Sequence, residues 1–373
     1  MNTRTAQLAG SLRIAPGKPC PHGLRNSRQD WASRLTVGMA AIDLPSRLGS
    51  LYSLCGASHR LCARMALAQA QGHSLDDASA AATLQQETLR EHVQRICLDW
   101  PRQLCNGGLQ AHAESELLAT LRQCPLFAAG TACTPQALQQ WLATHLLGME
   151  PLDWLLRWEA KAAQWLTDWC MHTALTLPRL LLACHQTLHH PQPHSPLLQV
   201  HAHANDLQQL ALDMEQQPGF VLRPQWRQAC AETGSWSRLN DRHDEPLTPW
   251  LRLGARVAEL VRLALPDQPG RSGTQWLSMG STRTGEHSAL AWVEMARGLL
   301  LHHVRLDATG ERVLGCRVLA PTEWNFHASG SVAQAIATLP QEADDAVQHT
   351  VDSLVSAWDP CLAYALDLED THA

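Results

Sequence analysis

One segment of this chain reads as a β-hairpin, and it constrains the fold because the patterning elsewhere is helical. Residues 298–306 and 312–319 are apolar or β-branched runs on either side of Asp307-Ala308-Thr309-Gly310, a turn signature between two strands. Arg297 enters this hairpin and Thr322 leaves it. Antiparallel pairing brings both to the same end, so both can face one pocket. The expected fold is mainly α with a small antiparallel sheet, an α+β class.

Helical spacing begins near residue 44, where Leu48, Leu51, Tyr52, Cys55, His59, Cys62 and Ala66 recur at three- and four-residue steps. Cys55 is therefore expected on or beside a helix. Ser74 reads as the N-cap of a further helix with Asp76 and Asp77 in its first turn. That helix is expected to stop near Asp99-Trp100-Pro101, since the residue before a proline is biased away from helical geometry. A Trp-rich block between positions 154 and 169 has helical spacing and is expected to bury its indoles between helices. A last helix over 341–357 delivers Asp359-Pro360-Cys361 at its exit, with the proline enforcing the stop.

Residues 1–30, rich in Pro, Arg and Ser, read as an extended or loosely ordered lead-in, leaving 31–373 as a single domain. Within it, residues 185–203 carry His185, His189, His190, His194, His201 and His203. Pro191, Pro193 and Pro196 interrupt any single helical face there, so a flexible solvated loop is the reading, ahead of a metal store.

A chain of 373 residues buries a substantial core without staples. Its net charge of −6 and the lack of a Lys/Arg stripe remove the electrostatic footprint of a nucleic-acid binder. No run approaches the roughly 18 apolar residues of a membrane span, and the first residues lack a secretory apolar core. A soluble cytoplasmic protein without membrane insertion is expected. The 12 cysteines are scattered, and Cys97, Cys124, Cys170, Cys184 and Cys230 sit in apolar or helical contexts that suit buried reduced thiols.

Two cysteines stand in distinctive surroundings, Leu54-Cys55-Gly56-Ala57-Ser58-His59 near the start and Asp359-Pro360-Cys361-Leu362-Ala363-Tyr364 near the end. By residue type alone, Cys55 could be an ordinary helix cysteine, Cys361 a chance one, and Arg297 a surface charge before a strand. Taken together with the stretches 294–302 (Glu-Met-Ala-Arg-Gly-Leu-Leu-Leu-His) and 320–327 (Ala-Pro-Thr-Glu-Trp-Asn-Phe-His), and in this order, the motifs resemble those of [NiFe]-hydrogenase large subunits. The fit is to a degenerate, shortened branch of that family, the accessory proteins of the HupK/HoxV type. The C-terminal third matches best and the long middle carries no motif.

The resemblance implies a large-subunit-like fold and a pair of Cys-x-x-Cys motifs of which each retains only its first cysteine. Ser58 and Tyr364 stand where the metal-bridging cysteines belong. It further implies Cys55 and Cys361 as ligands of a transient Fe(CN)2(CO) unit without nickel, Cys62 as a possible third thiolate, and Arg297 and Thr322 as donors to the cyanide nitrogens. Trp324 and Asn325 would shape the segment. No Arg-Gly-x-Glu motif precedes Cys55 to supply an acidic group, the family's histidine role is not transferred to His59, and Asp367 replaces the histidine at which precursors are trimmed. The implied protein is an uncleaved accessory factor without turnover. Its partners would be the cyanide-loading maturation complex with its small carrier chaperone, and a hydrogenase large-subunit precursor. A metal-free docking chaperone stands as the alternative.

Overall fold

A helix from Pro249–Ala264 runs through the middle of the molecule with every residue buried. Thr248 caps it by accepting from the Leu251 amide, and Pro249 occupies the first turn, where its missing N–H costs nothing. Helices Asp77–Gln94, Pro151–Ala160, Ala162–His172, Thr176–Leu188 and Asp345–Trp358 pack around it. Arg252, Arg256, Glu259 and Arg262 lie on this buried rod. Burying charge is costly unless it is paired, so the helix dictates where its neighbours must place acids and bases. The structure is a computed structural model and describes residues 10–75, 77–130, 133–190, 195–238, 247–265, 276–341 and 345–367.

The larger sheet is an antiparallel meander of β3 (Met279–Gly285), β4 (Ser288–Met295), β5 (Gly298–Leu306) and β6 (Val313–Leu319), in that order. The expected hairpin is β5–β6, with Leu301 opposite Leu319. Asp307 closes its turn by accepting from the Glu311 amide at 3.0 Å and the Thr309 hydroxyl at 2.9 Å. One face of the sheet lies on the Gly56–Ala70 helix and the other meets the Ala204–Gln216 helix. Both faces of β5 are therefore buried, which accounts for a nearly continuous apolar run instead of an alternating one. β3 and β4 were not foreseen; β3 is polar and half-exposed, so its strand signal is weak.

A second sheet joins the chain's two ends. β1 (Ser11–Ile14) pairs antiparallel with β2 (Leu24–Asn26) and parallel with β7 (Ala363–Leu366), placing Leu12 beside Tyr364. The segment read as a loose lead-in is thus extended but tied down from residue 11, by ladder bonds to its own β2 on one side and to the distant C-terminal β7 on the other. Residues 1–9 lie outside the described residues, as do Asp76, Pro191, Pro193, His194 and residues 342–344 at the expected start of the last helix.

Two local expectations change. The path through Trp100-Pro101 does not stop: Asp77–Gln94 passes through a π-helical turn, Arg95–Asp99, into a short helix, Trp100–Gln103. The wider turn frees a carbonyl that Pro101 cannot serve, and the proline falls in the first turn of the next segment, where it is tolerated. The His-rich stretch is not wholly solvated either. His185 belongs to the Thr176–Leu188 helix and meets the Trp250 ring edge-on at 4.4 Å, and His201 is buried 3.3 Å from Glu294. The tryptophans do pack together, with Trp154 stacked on Trp158 and edge-on to Trp169. Cys97, Cys124, Cys170 and Cys184 are free and buried, whereas Cys230 is half-buried beside His327 Nδ1.

Candidate functional site

Cys55 ends a tight turn, Ser53–Cys55, between helices Leu44–Leu51 and Gly56–Ala70. The two helices approach so closely that a Cβ on Gly56 would lie 2.6 Å from the Gly49 carbonyl, and this approach holds Cys55 inside the protein, 4% exposed. Cys361 arrives from the other end of the chain. The Asp345–Trp358 helix stops where Asp359 adopts a left-handed conformation (φ 53°), Pro360 follows, and β7 then anchors the segment to β1.

The fold brings these two cysteines together with Arg297 and Thr322. Burial pushes the Cys55 thiol up, neighbouring Cys361 adds to the effect, and Arg297 opposes it. Thr322 Oγ1 accepts from the Cys361 amide at 3.1 Å and lies 3.1 Å from Cys361 Sγ. With an acceptor position of that oxygen filled by the amide, its hydroxyl proton is free to point at sulfur.

Arg297 is no surface charge; it is 2% exposed. Its Nη1 donates to Glu91 at 2.7 Å, and its Nε lies 3.4 Å from Asp359. Asp359 also meets Arg95 at 2.7 Å and Arg256 at 3.0 Å. Burial alone would raise the Asp359 carboxyl, but the three guanidinium groups outweigh it and hold the acid well below the usual carboxylate range. The left-handed turn that presents Cys361 is thus fixed by three arginines from three separate elements. Gly298 completes the Arg297 corner at φ 130°, where a Cβ would meet Thr233 at 2.7 Å.

Ser58 and Tyr364 do not face the cysteines as unpartnered groups. Ser58 donates its hydroxyl and its amide to Glu87, which also accepts from the Ala57 amide at 2.8 Å. A carboxylate thereby caps the helix that follows Cys55. Tyr364 donates to Asp352 at 2.7 Å. Cys62 faces the sheet, its thiol donating to the Ala291 carbonyl of β4 at 3.4 Å. His59 stacks on Tyr52 and shares a 3.0 Å hydrogen bond with His302. Asn325 takes both backbone groups of Thr233, accepting from its amide at 2.8 Å and donating to its carbonyl at 2.7 Å. Trp324 is buried edge-on to Phe220.

Several residues at the site carried no readable signal. Arg28 donates to Cys361 Sγ at 3.2 Å and to Glu323 at 2.8 Å. Glu87, Glu91, Arg95 and Arg256 lie in stretches without a motif, and only their tertiary neighbours give them meaning. The Asp77–Gln94 helix carries Glu87, which caps the helix after Cys55, and Glu91, which pairs with Arg297. Among the described residues, no group of three or more His, Cys, Asp or Glu side chains is arranged to hold a metal ion. Nor is any described helix long and apolar enough to cross a membrane.

No family model matches the chain. It is similar to the hydrogenase expression/formation protein HoxV of Cupriavidus necator, with 36% identity over 99% of this chain and 98% of the relative. It is also similar to HupK of Bradyrhizobium diazoefficiens, with 28% identity over 91% and 90% of the respective chains. Among solved structures, a NAD+-reducing [NiFe]-hydrogenase superposes with a TM-score of 0.54 at 14% identity over 91% of both chains. The [NiFeSe] hydrogenase of Desulfomicrobium baculatum gives a TM-score of 0.54 at 13% identity, over 96% of this chain and 97% of its own. These two likenesses establish a hydrogenase large-subunit fold.

Proposed function

Because the chain belongs to the family of hydrogenase expression/formation proteins that includes HoxV and HupK, we propose that it is a maturation scaffold. It accepts an Fe(CN)2(CO) unit on Cys55 and Cys361 and passes the unit to a [NiFe]-hydrogenase large-subunit precursor. The observation that carries this reading is the convergence of Cys55, Cys361, Arg297 and Thr322, from separate stretches of the chain, on one place where Cys361 is partly exposed and the others are buried.

The chemistry follows from the donor set. Thiolates suit a soft iron centre, and metal binding draws the proton from each thiol. Two sulfurs are enough for an iron whose other positions are filled by ligands it brings with it. Arg297 and the Thr322 hydroxyl supply hydrogen-bond donors beside the sulfurs, suited to anionic cyanide nitrogens. Ser58 and Tyr364 keep their hydroxyls engaged with Glu87 and Asp352, so neither competes for the iron and no second pair of thiolates is present to trap nickel. Fewer metal–protein bonds need to break on delivery than in a four-thiolate site. The partners on this reading are the cyanide-loading complex with its small carrier chaperone, and then the precursor. The scaffold itself turns nothing over.

The test is infrared absorption in the cyanide and carbonyl stretching region, on protein purified without oxygen from cells that contain the maturation machinery. Paired bands are expected, and they should vanish in both Cys55→Ala and Cys361→Ala. Protein without bands that still copurifies with maturation partners would overturn the carrier reading in favour of a metal-free docking chaperone.

A further inference from the structure

The Cys361 sulfur is reached by two hydrogen-bond donors, Thr322 and Arg28, and only the first lies in a stretch that resembles a hydrogenase motif. Arg28 follows β2 and is 12% exposed along its side chain. Its guanidinium forks, with Nη1 on Glu323 Oε1 at 2.8 Å and Nη2 on Cys361 Sγ at 3.2 Å, and it lies over the Tyr52 ring at 5.8 Å. Glu323 is adjacent to Thr322 in the short helix Pro321–Asn325. One element thus carries both the hydroxyl donor and the carboxylate that aims the guanidinium donor. Arg297, by contrast, is already matched by Asp359 and Glu91.

We propose that Arg28 is a positioning residue of the cargo site: aimed by Glu323, it donates an N–H to the Cys361 sulfur and tunes how strongly that sulfur binds iron. This rests on the carrier reading above and adds to it a residue with a distinct physical task. An N–H···S bond withdraws electron density from a coordinating thiolate, as outer hydrogen bonds do at metal–thiolate sites generally. Weaker donation leaves the iron less able to back-donate into carbon monoxide and cyanide, which raises their stretching frequencies. It also weakens the bond that must break when the unit is handed on. The planar fork matters, because a single ammonium cannot serve Glu323 and the sulfur in the same geometry.

The loaded protein tests this by infrared spectroscopy. Arg28→Met is expected to keep the bands and move the carbonyl band to lower wavenumber, and Arg28→Lys to give a smaller shift in the same direction. If Arg28→Met does not fold, the Arg28→Lys shift carries the test. Unmoved bands in the folded variants would overturn the proposal while leaving the carrier reading intact. If the wild-type protein shows no bands, the carrier reading itself has failed. The contact is then judged in unloaded protein by a thermal double-mutant cycle of Arg28→Met with Cys361→Ala. Non-additive Tm shifts would uphold the hydrogen bond, and additive ones would overturn it.

Discussion

Arg256 on the central helix lies 3.0 Å from Asp359, two residues before Cys361. The core of the molecule is in this way coupled to the loop that presents the second thiol. Arg256 also meets His92 Nδ1 at 3.3 Å, His92 pairs with Glu259 at 2.8 Å, and Glu259 accepts from Arg238 Nε at 2.9 Å. A buried chain of the charges Asp359, Arg256, Glu259 and Arg238, bridged at its middle by His92, therefore runs from the loop to the middle of the protein.

Removing one member of a buried ion cluster leaves the others uncompensated, a loss of about 3–5 kcal/mol. Asp359→Asn tolerates the left-handed backbone but strips the charge shared by Arg95, Arg256 and Arg297. Urea unfolding of Asp359→Asn is expected to show a loss of that order. A change below about 1 kcal/mol would show that the arginines find other partners. The folded acid titrates below its ordinary value of 3.8. Its stabilisation is therefore present above the unfolded value and is lost as the pH falls toward the folded one. The acid-side slope below about pH 4 should flatten in Asp359→Asn.

His59 and His302 share a hydrogen bond in the core, and burial lowers both, His302 down to about 3. A base whose folded pKa is below its unfolded value is protonated first in the unfolded chain, so stability declines as pH drops below the ordinary imidazole value of 6.5. Thermal melts between pH 7.5 and 5 should show this decline, and His302→Gln should reduce its slope by about one proton. An equally steep slope in the variant would place the acid sensitivity elsewhere.

Gly298 permits both a positive φ and the 2.7 Å approach of Thr233. Gly298→Ala should cost on the order of 2 kcal/mol or more, since the new methyl meets both a strained backbone and a filled space. Gly108, helical and with nothing near its would-be Cβ, is the control. Gly108→Ala should be neutral or slightly stabilising in the same denaturation experiment.

Glu87 takes hydrogen bonds from the Ala57 and Ser58 amides and the Ser58 hydroxyl. Glu87→Ala should lower stability by about 1–2 kcal/mol, with Glu87→Gln intermediate because its carbonyl still accepts. Amide exchange at residues 57 and 58 localises the effect. Protection unchanged in Glu87→Ala would mean that the cap does not hold the turn carrying Cys55.

The hairpin, the helix after Cys55, the packed tryptophans and the helix leading to Cys361 were legible because each rests on a local period, a cap or a turn within a few residues. The common end for Arg297 and Thr322 was legible too, since antiparallel register follows from where the turn lies. The polar β3 was missed because its residues do not alternate in the way a half-buried strand should. The π-turn before Trp100 was missed because a proline rule speaks to one helix, while the chain solved the problem by widening a turn. The solvated reading of the His-rich stretch failed at His201, whose partner Glu294 is far away in sequence.

By itself the sequence determined the α+β class and the order of the motifs, which rest on short-range pattern, while Cys55 and Cys361 stood out only through their resemblance to hydrogenase motifs. Only the tertiary structure decided what surrounds those cysteines: Arg28 on Cys361, Glu87 under Ser58, Asp359 among three arginines, and the N-terminal strand clasping the C-terminal one. Each is a pairing of buried charge or strand edge between residues far apart in the chain. Its energy depends on desolvation and distance, which no local period encodes.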